Sequence, residues 1–87
     1  MAGYEAGCLV RSLAGHDKGN IFIIIKEDAE YVYLADGRLR TVADPKRKKK
    51  KHVQPTFYVE KDLAAKLQTG EYLLDADIKK ALKKYQQ

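Results

Sequence analysis

Apolar positions in the first half of the chain fall in short runs broken by glycines and acidic turns, and each run has the length of a strand. Leu9-Val10-Arg11-Ser12-Leu13, between Gly7 and Gly15, reads as a first strand. Asn20 to Lys26 is the clearest: four Ile and one Phe form a β-rich run bounded by Gly19 and by Glu27-Asp28. Period two puts Ile21, Ile23 and Ile25 on one face and Phe22 and Ile24 on the other. Two apolar faces predict a strongly bent strand whose halves serve one closed core. Tyr31 to Ala35 is a third strand after the acidic turn 27–30. Asp36-Gly37 carries a two-residue hairpin signal, because both types tolerate the positive φ such a turn demands. It predicts a fourth short strand, Arg38 to Val42, ended by Pro45. His52-Val53-Gln54 fits a fifth. Short strands with tight turns predict a meander curling into a small barrel.

The last third changes character. Asp62 is placed to cap a helix through Gln68, with Leu63 and Leu67 one turn apart and Gly70 as the stop. Asp75 is placed to cap a second helix, with Asp77 in its favourable first turn. There Ile78, Leu82 and Tyr85 fall at i, i+4 and i+7 as one apolar stripe, and Lys79, Lys80, Lys83 and Lys84 cover the rest. The stripe suits either the barrel's own core or a partner. The predicted organisation is a barrel unit over 1–56, containing a basic loop at 45–52, and a helical extension over 57–87.

With 87 residues the chain has room for one small domain. Its composition, 45% hydrophobic and 33% charged, is that of a globular protein. The single cysteine, Cys8, excludes an internal disulfide framework and a multi-cysteine zinc site, and points to a reducing compartment. The longest apolar run, Ile21 to Ile25, is far below the ~20 residues that cross a bilayer. The first ten residues show neither a basic start nor an apolar stretch, so no secretory leader is expected and the expected location is cytoplasmic.

The net charge of +5 is unevenly spread. Residues 1–44 hold five basic against seven acidic side chains, and residues 55–87 hold six against five. Between them, Lys46, Arg47, Lys48, Lys49, Lys50 and Lys51 stand without a single acid. Each cation set on a phosphate releases condensed counterions, so such a tract gives salt-dependent affinity for nucleic acid with little sequence discrimination. A solvated charge run and, in a nucleated cell, a nuclear address are the other readings of the same residues.

Catalytic parts are few. The one serine, Ser12, lies inside a predicted strand, and the two histidines lie on separate loops. Cys8 with His16 is a conceivable pair, but a lone cysteine in a first strand reads as a small core hydrophobe. His16, Asp17 and His52 match no metal-ligand spacing, and no phosphate-binding glycine motif occurs. The expectation is a protein that is not an enzyme, with no cofactor, no metal and no small-molecule substrate. The loop Ala14-Gly15-His16-Asp17-Lys18-Gly19 offers His16 and Lys18 as donors to a phosphate, beside the simpler reading of a glycine-bounded hairpin loop. Tyr31 and Tyr33 share one strand face and suit either stacking on unpaired bases or packing under the C-terminal helices.

Residues 9–20, with the apolar strand after them, resemble a KOW motif, in which a G-x-D-K-G loop links two strands; here it is Gly15-His16-Asp17-Lys18-Gly19. The similarity runs on through residues 31–40, Pro45-Lys46, residues 51–56, Thr69-Gly70-Glu71 and the tail Asp75-Ala76-Asp77-Ile78-Lys79-Lys80-Ala81-Leu82. Over about residues 7–83 the chain is similar to small bacterial KOW-domain RNA-binding proteins, which are themselves similar to the archaeal and eukaryotic-type large-subunit ribosomal protein fourteen. The resemblance implies a mainly β fold, a five-stranded SH3-like barrel with one or two short C-terminal helices. It also implies docking on RNA, with ribosomal RNA of the large subunit, and ribosomal proteins beside it, as the expected partners. Carried over by position, Gly15, Asp17, Lys18 and Gly19 form the KOW loop.

The candidate RNA-binding residues are therefore Lys46 to Lys51 for affinity, Lys18 with Gly15, His16 and Gly19 for register, and Arg38 and Arg40 as an extension of the basic track. The rival expectation is a protein-interaction KOW module of the transcription or translation machinery, in which Tyr31, Tyr33 and an apolar groove make the contact.

Overall fold

A computed structural model describes residues 3–71 and 73–86. Met1 and Ala2, the start of the segment read for a leader, lie outside the described residues. Five strands, β1 (Cys8–Ser12), β2 (Ile21–Glu27), β3 (Tyr31–Ala35), β4 (Lys46–Lys49) and β5 (Val53–Val59), form one antiparallel sheet in the order β4-β3-β2-β1-β5. Two helices follow, α1 (Lys61–Thr69) and α2 (Asp75–Gln86). The sheet is open, and its two edge strands, β4 and β5, are joined in sequence by a single 3₁₀ turn, Lys50–His52.

The first three strands and both helices lie where the hydrophobic pattern puts them, but the fourth strand does not. Residues 38–42 form a tight turn rather than a strand. The Asp36 carboxylate accepts the Arg38 and Arg40 amides at 2.8 and 3.0 Å, and the Asp75 carboxylate accepts the Val42 amide at 2.8 Å. With those amides taken by side chains, the segment cannot pair with β3. The strand on that edge is instead the basic tract, expected as a loop: Tyr31 pairs with Lys49 and Tyr33 with Arg47.

Asp75 thus ties down residue 42 across the chain, and it is itself the first residue of α2. Asp62 likewise lies in the first turn of α1, whose N-cap position is Glu60; Gly70, left-handed at φ 75°, ends that helix as expected. Gly37 is the turn's necessary glycine. Its φ is +79°, and a Cβ there would sit 2.5 Å from the Asp75 carbonyl oxygen, so no larger residue lets α2 approach.

Two apolar layers replace the single closed core. Val10, Phe22, Ile24, Val32, Leu34 and Val53 pack within the curl of the sheet. Leu9, Ile21, Ile23 and Ala35 face the other way, against Leu63, Leu73, Ile78, Ala81 and Leu82. The apolar second face of β2 is explained by helix cover rather than by bending alone. The Ile78, Leu82, Tyr85 stripe packs on the protein itself, with Tyr85 against Tyr58 at a ring distance of 5.1 Å. No helix among the described residues is long and apolar enough to cross a membrane.

Candidate nucleic-acid interface

Because residues 46–49 of the basic tract are a strand, their side chains alternate: Lys46 and Lys48 turn to one side, Arg47 and Lys49 to the other, and Lys50 begins the 3₁₀ turn. Lys48 is only 8% exposed. Its Nζ donates to Ser12 Oγ at 2.8 Å, the Ala14 carbonyl at 2.7 Å and Asp17 Oδ1 at 2.7 Å. Lys46 Nζ donates to Asp17 Oδ2 at 2.7 Å, and Lys50 Nζ to Glu27 Oε2 at 2.8 Å. Three of the six tract cations are thus engaged in ion pairs within the protein.

Asp17 is the centre of this network. Burial by itself would raise its pKa, but hydrogen bonds from Lys46, Lys48 and Ser12 outweigh that and hold the carboxyl well below the usual carboxylate range. The loop that carries it continues the β1–β2 hairpin. The Ser12 amide donates to the Asn20 carbonyl at 2.9 Å and the Gly19 amide to the Ser12 carbonyl at 2.8 Å, with Gly15 and Gly19 at φ 84° and 91°. The glycine loop and the basic strand are brought together by Asp17, while His16 and Lys18 remain exposed. Asp17 is therefore a structural anchor between the glycine loop and the basic strand.

The other face of the tract is built differently. The Arg47 guanidinium lies 4.5 Å from the centre of the Tyr31 ring, and Lys26 Nζ lies 5.5 Å from that of Tyr33. Lys26 reaches Tyr33 because the β2–β3 register shifts between Ile24 and Lys26. With exposed Lys49 this gives three cations interleaved with two half-buried tyrosines on one sheet face; Lys51 is exposed at the adjoining turn. Tyr33 Oη also donates to the Asp28 carboxylate at 3.2 Å, which fixes the ring. Sequence reasoning misses Lys26: as a single lysine ending an apolar strand, it carries no signal until the register shift turns it onto this face.

Arg38 and Arg40 do not share a strand face. Arg38 lines an open cleft beside α2, and Arg40 is half-buried in the turn. Cys8 is buried, its thiol donates to Glu5 Oε1 at 3.4 Å, and burial pushes its pKa up to about 11, so it has no His16 partner and little thiolate at neutral pH. No protein-family model matches the sequence, and no curated protein matches it.

Proposed function

We propose that the protein is a small RNA-binding protein of the KOW type that docks on structured RNA, ribosomal RNA of the large subunit above all, without catalysis. The observation that carries this reading is the β3–β4 face, where Arg47, Lys49 and Lys26 alternate with Tyr31 and Tyr33. Cations spaced along a strand match phosphates along a backbone, and the Tyr31 ring with the Arg47 guanidinium beside it, like the Tyr33 ring, is a plane on which unpaired bases stack. Further support comes from the G-x-D-K-G loop held against the basic strand, and from a curled sheet whose edge strands are joined by one short turn, as in an SH3-like barrel. Affinity comes from Arg47, Lys49 and Lys51, with Lys18 and His16 at the loop nearby. Lys46, Lys48 and Lys50 shape the site from beneath.

Sedimentation of the endogenous protein in a lysate, with and without ribonuclease, tests the reading. Migration with the large ribosomal subunit that is lost on digestion supports it; a protein at the top of the gradient in both samples refutes the ribosomal version. The protein-interaction reading, expected to use Tyr31, Tyr33 and an apolar groove, finds exposed apolar side chains on a different surface. Phe57, 67% exposed, and Val59 stand on the edge strand β5, with Phe57 at a left-handed φ of 64°. A complex held by that edge survives ribonuclease.

A further inference from the structure

A second charged feature lies away from the basic tract, in an open cleft. It opens between α2, the start of β2 and the turn after β3, with a volume of about 1270 Å³. Five cationic side chains from three parts of the chain line it: Arg11 from β1, Arg38 from the turn, and Lys79, Lys80 and Lys83 from α2. The one acid among the lining residues is Asp36, whose Oδ1 already accepts two backbone amides. Among the described residues none of the five cations is in an ion pair. The contrast with the tract is plain, since half of its cations are paired.

Like charges converging on a cleft repel one another and raise the local concentration of anions, so the arrangement is favoured when an anion sits between them. The Arg11 guanidinium is held in place by the Gly19 carbonyl at 2.9 Å. Ile21, Leu82 and Tyr85 contribute apolar surface to the wall. The cleft is open and larger than the roughly 300–1,000 Å³ typical of small-molecule sites, which suits a length of polymer. Cations with apolar surface between them match a sugar-phosphate backbone, charged at each phosphate and less polar at each ribose.

We infer that this cleft seats a second stretch of RNA backbone, so that the interface is bipartite: phosphates held by Arg11, Arg38, Lys79, Lys80 and Lys83 at one end of β3, and bases stacked on Tyr31 and Tyr33 at the other. The inference rests on the RNA-binding reading and adds to it a second site with five cations, none of them in an ion pair. Residues 31 and 35, at the two ends of β3, are about 13 Å apart along an extended strand, within reach of a few nucleotides.

The test is equilibrium binding of the full chain to a structured RNA hairpin with a single-stranded tail, between about 50 and 200 mM salt. Three proteins are compared, after circular dichroism and thermal melts establish that each is folded. They are the wild type, the cleft variant Arg38→Gln/Lys79→Gln/Lys83→Gln, and the charge-matched variant Lys61→Gln/Lys66→Gln/Lys84→Gln, whose residues lie outside the cleft. Every phosphate that the protein ceases to neutralise takes about 0.7–0.9 off the slope of log K against log salt, so the slope of the cleft variant is expected to fall by about two units while the charge-matched variant keeps the wild-type slope. An unchanged slope in the cleft variant, or an equal fall in both variants, overturns the inference and leaves the β3–β4 face as the RNA site. Absence of salt-dependent RNA binding by the wild type overturns the RNA-binding reading itself, and the cleft assignment with it.

Discussion

Replacing Lys48 by Met should unfold the protein far more readily than replacing its neighbour Lys49 by Met, although the two stand side by side in an unbroken basic run. Met keeps the length of the four-carbon stem and much of its packing, so the change isolates the ammonium. At Lys48 that ammonium donates three hydrogen bonds of 2.7–2.8 Å, to Ser12, Ala14 and Asp17. Removing one partner of a buried pair costs about 3–5 kcal/mol when the other charge is left alone. Here it is not left alone: Asp17 keeps Lys46 on Oδ2 and the single Ser12 hydroxyl proton on Oδ1, so that only the Ala14 carbonyl loses its donor. The expected loss is therefore lower, about 2 kcal/mol, close to one charged hydrogen bond. For a domain of this size 1 kcal/mol moves Tm by about 4–8 °C, so the melt should fall by about 8–16 °C. Lys49 is exposed, and its replacement should stay within about 0.5 kcal/mol of wild type. Urea titration by circular dichroism, with thermal melts beside it, reads both. If Lys48→Met proves as mild as Lys49→Met, β4 does not alternate and the division of the tract into internal and outward cations fails.

Acid should destabilise the protein through Asp17. Its folded pKa lies below the unfolded value near 3.9, so the stabilisation is fully present at neutral pH and is lost as pH falls below about 5 toward that lowered value. Asp17→Asn, less stable at about pH 7, should show a flatter decline between about pH 5 and 2 by circular dichroism; an identical slope would remove Asp17 from the network. Gly37→Ala should cost at least about 2 kcal/mol in a urea melt, because the left-handed φ alone costs an L-residue about 1–2 kcal/mol and the Cβ meets the Asp75 carbonyl. Cys8 should react with a thiol reagent only as the protein unfolds, since burial raises its pKa to about 11; rapid native-state labelling would contradict that burial. Tyr31→Ala should weaken binding of single-stranded RNA by about 1–3 kcal/mol, read by fluorescence anisotropy, with little change in the salt slope.

What the sequence determined by itself is whatever short-range chemistry decides. β2 and β3 follow from β-branched and aromatic runs between turn residues, α1 stops at Gly70, and α2 carries its apolar residues as one stripe because their spacing is helical, although only the tertiary structure sets that stripe on the protein's own core. The glycine loop and the basic tract are both visible as candidates in the chain. Only the tertiary structure decided how the tract is used. Six side chains of one sign carry no amphipathic pattern, so nothing local says that Lys48 turns inward and Lys49 outward. That depends on Asp17, which lies 31 residues away. Residues 38–42 read as a strand for the matching reason: the acceptor that takes the Val42 amide is Asp75, 33 residues further on. The α2 cleft is of the same kind. Its cations are spread from residue 11 to residue 83, each ordinary where it stands, and they form one charged surface because the helix packs against the start of β2.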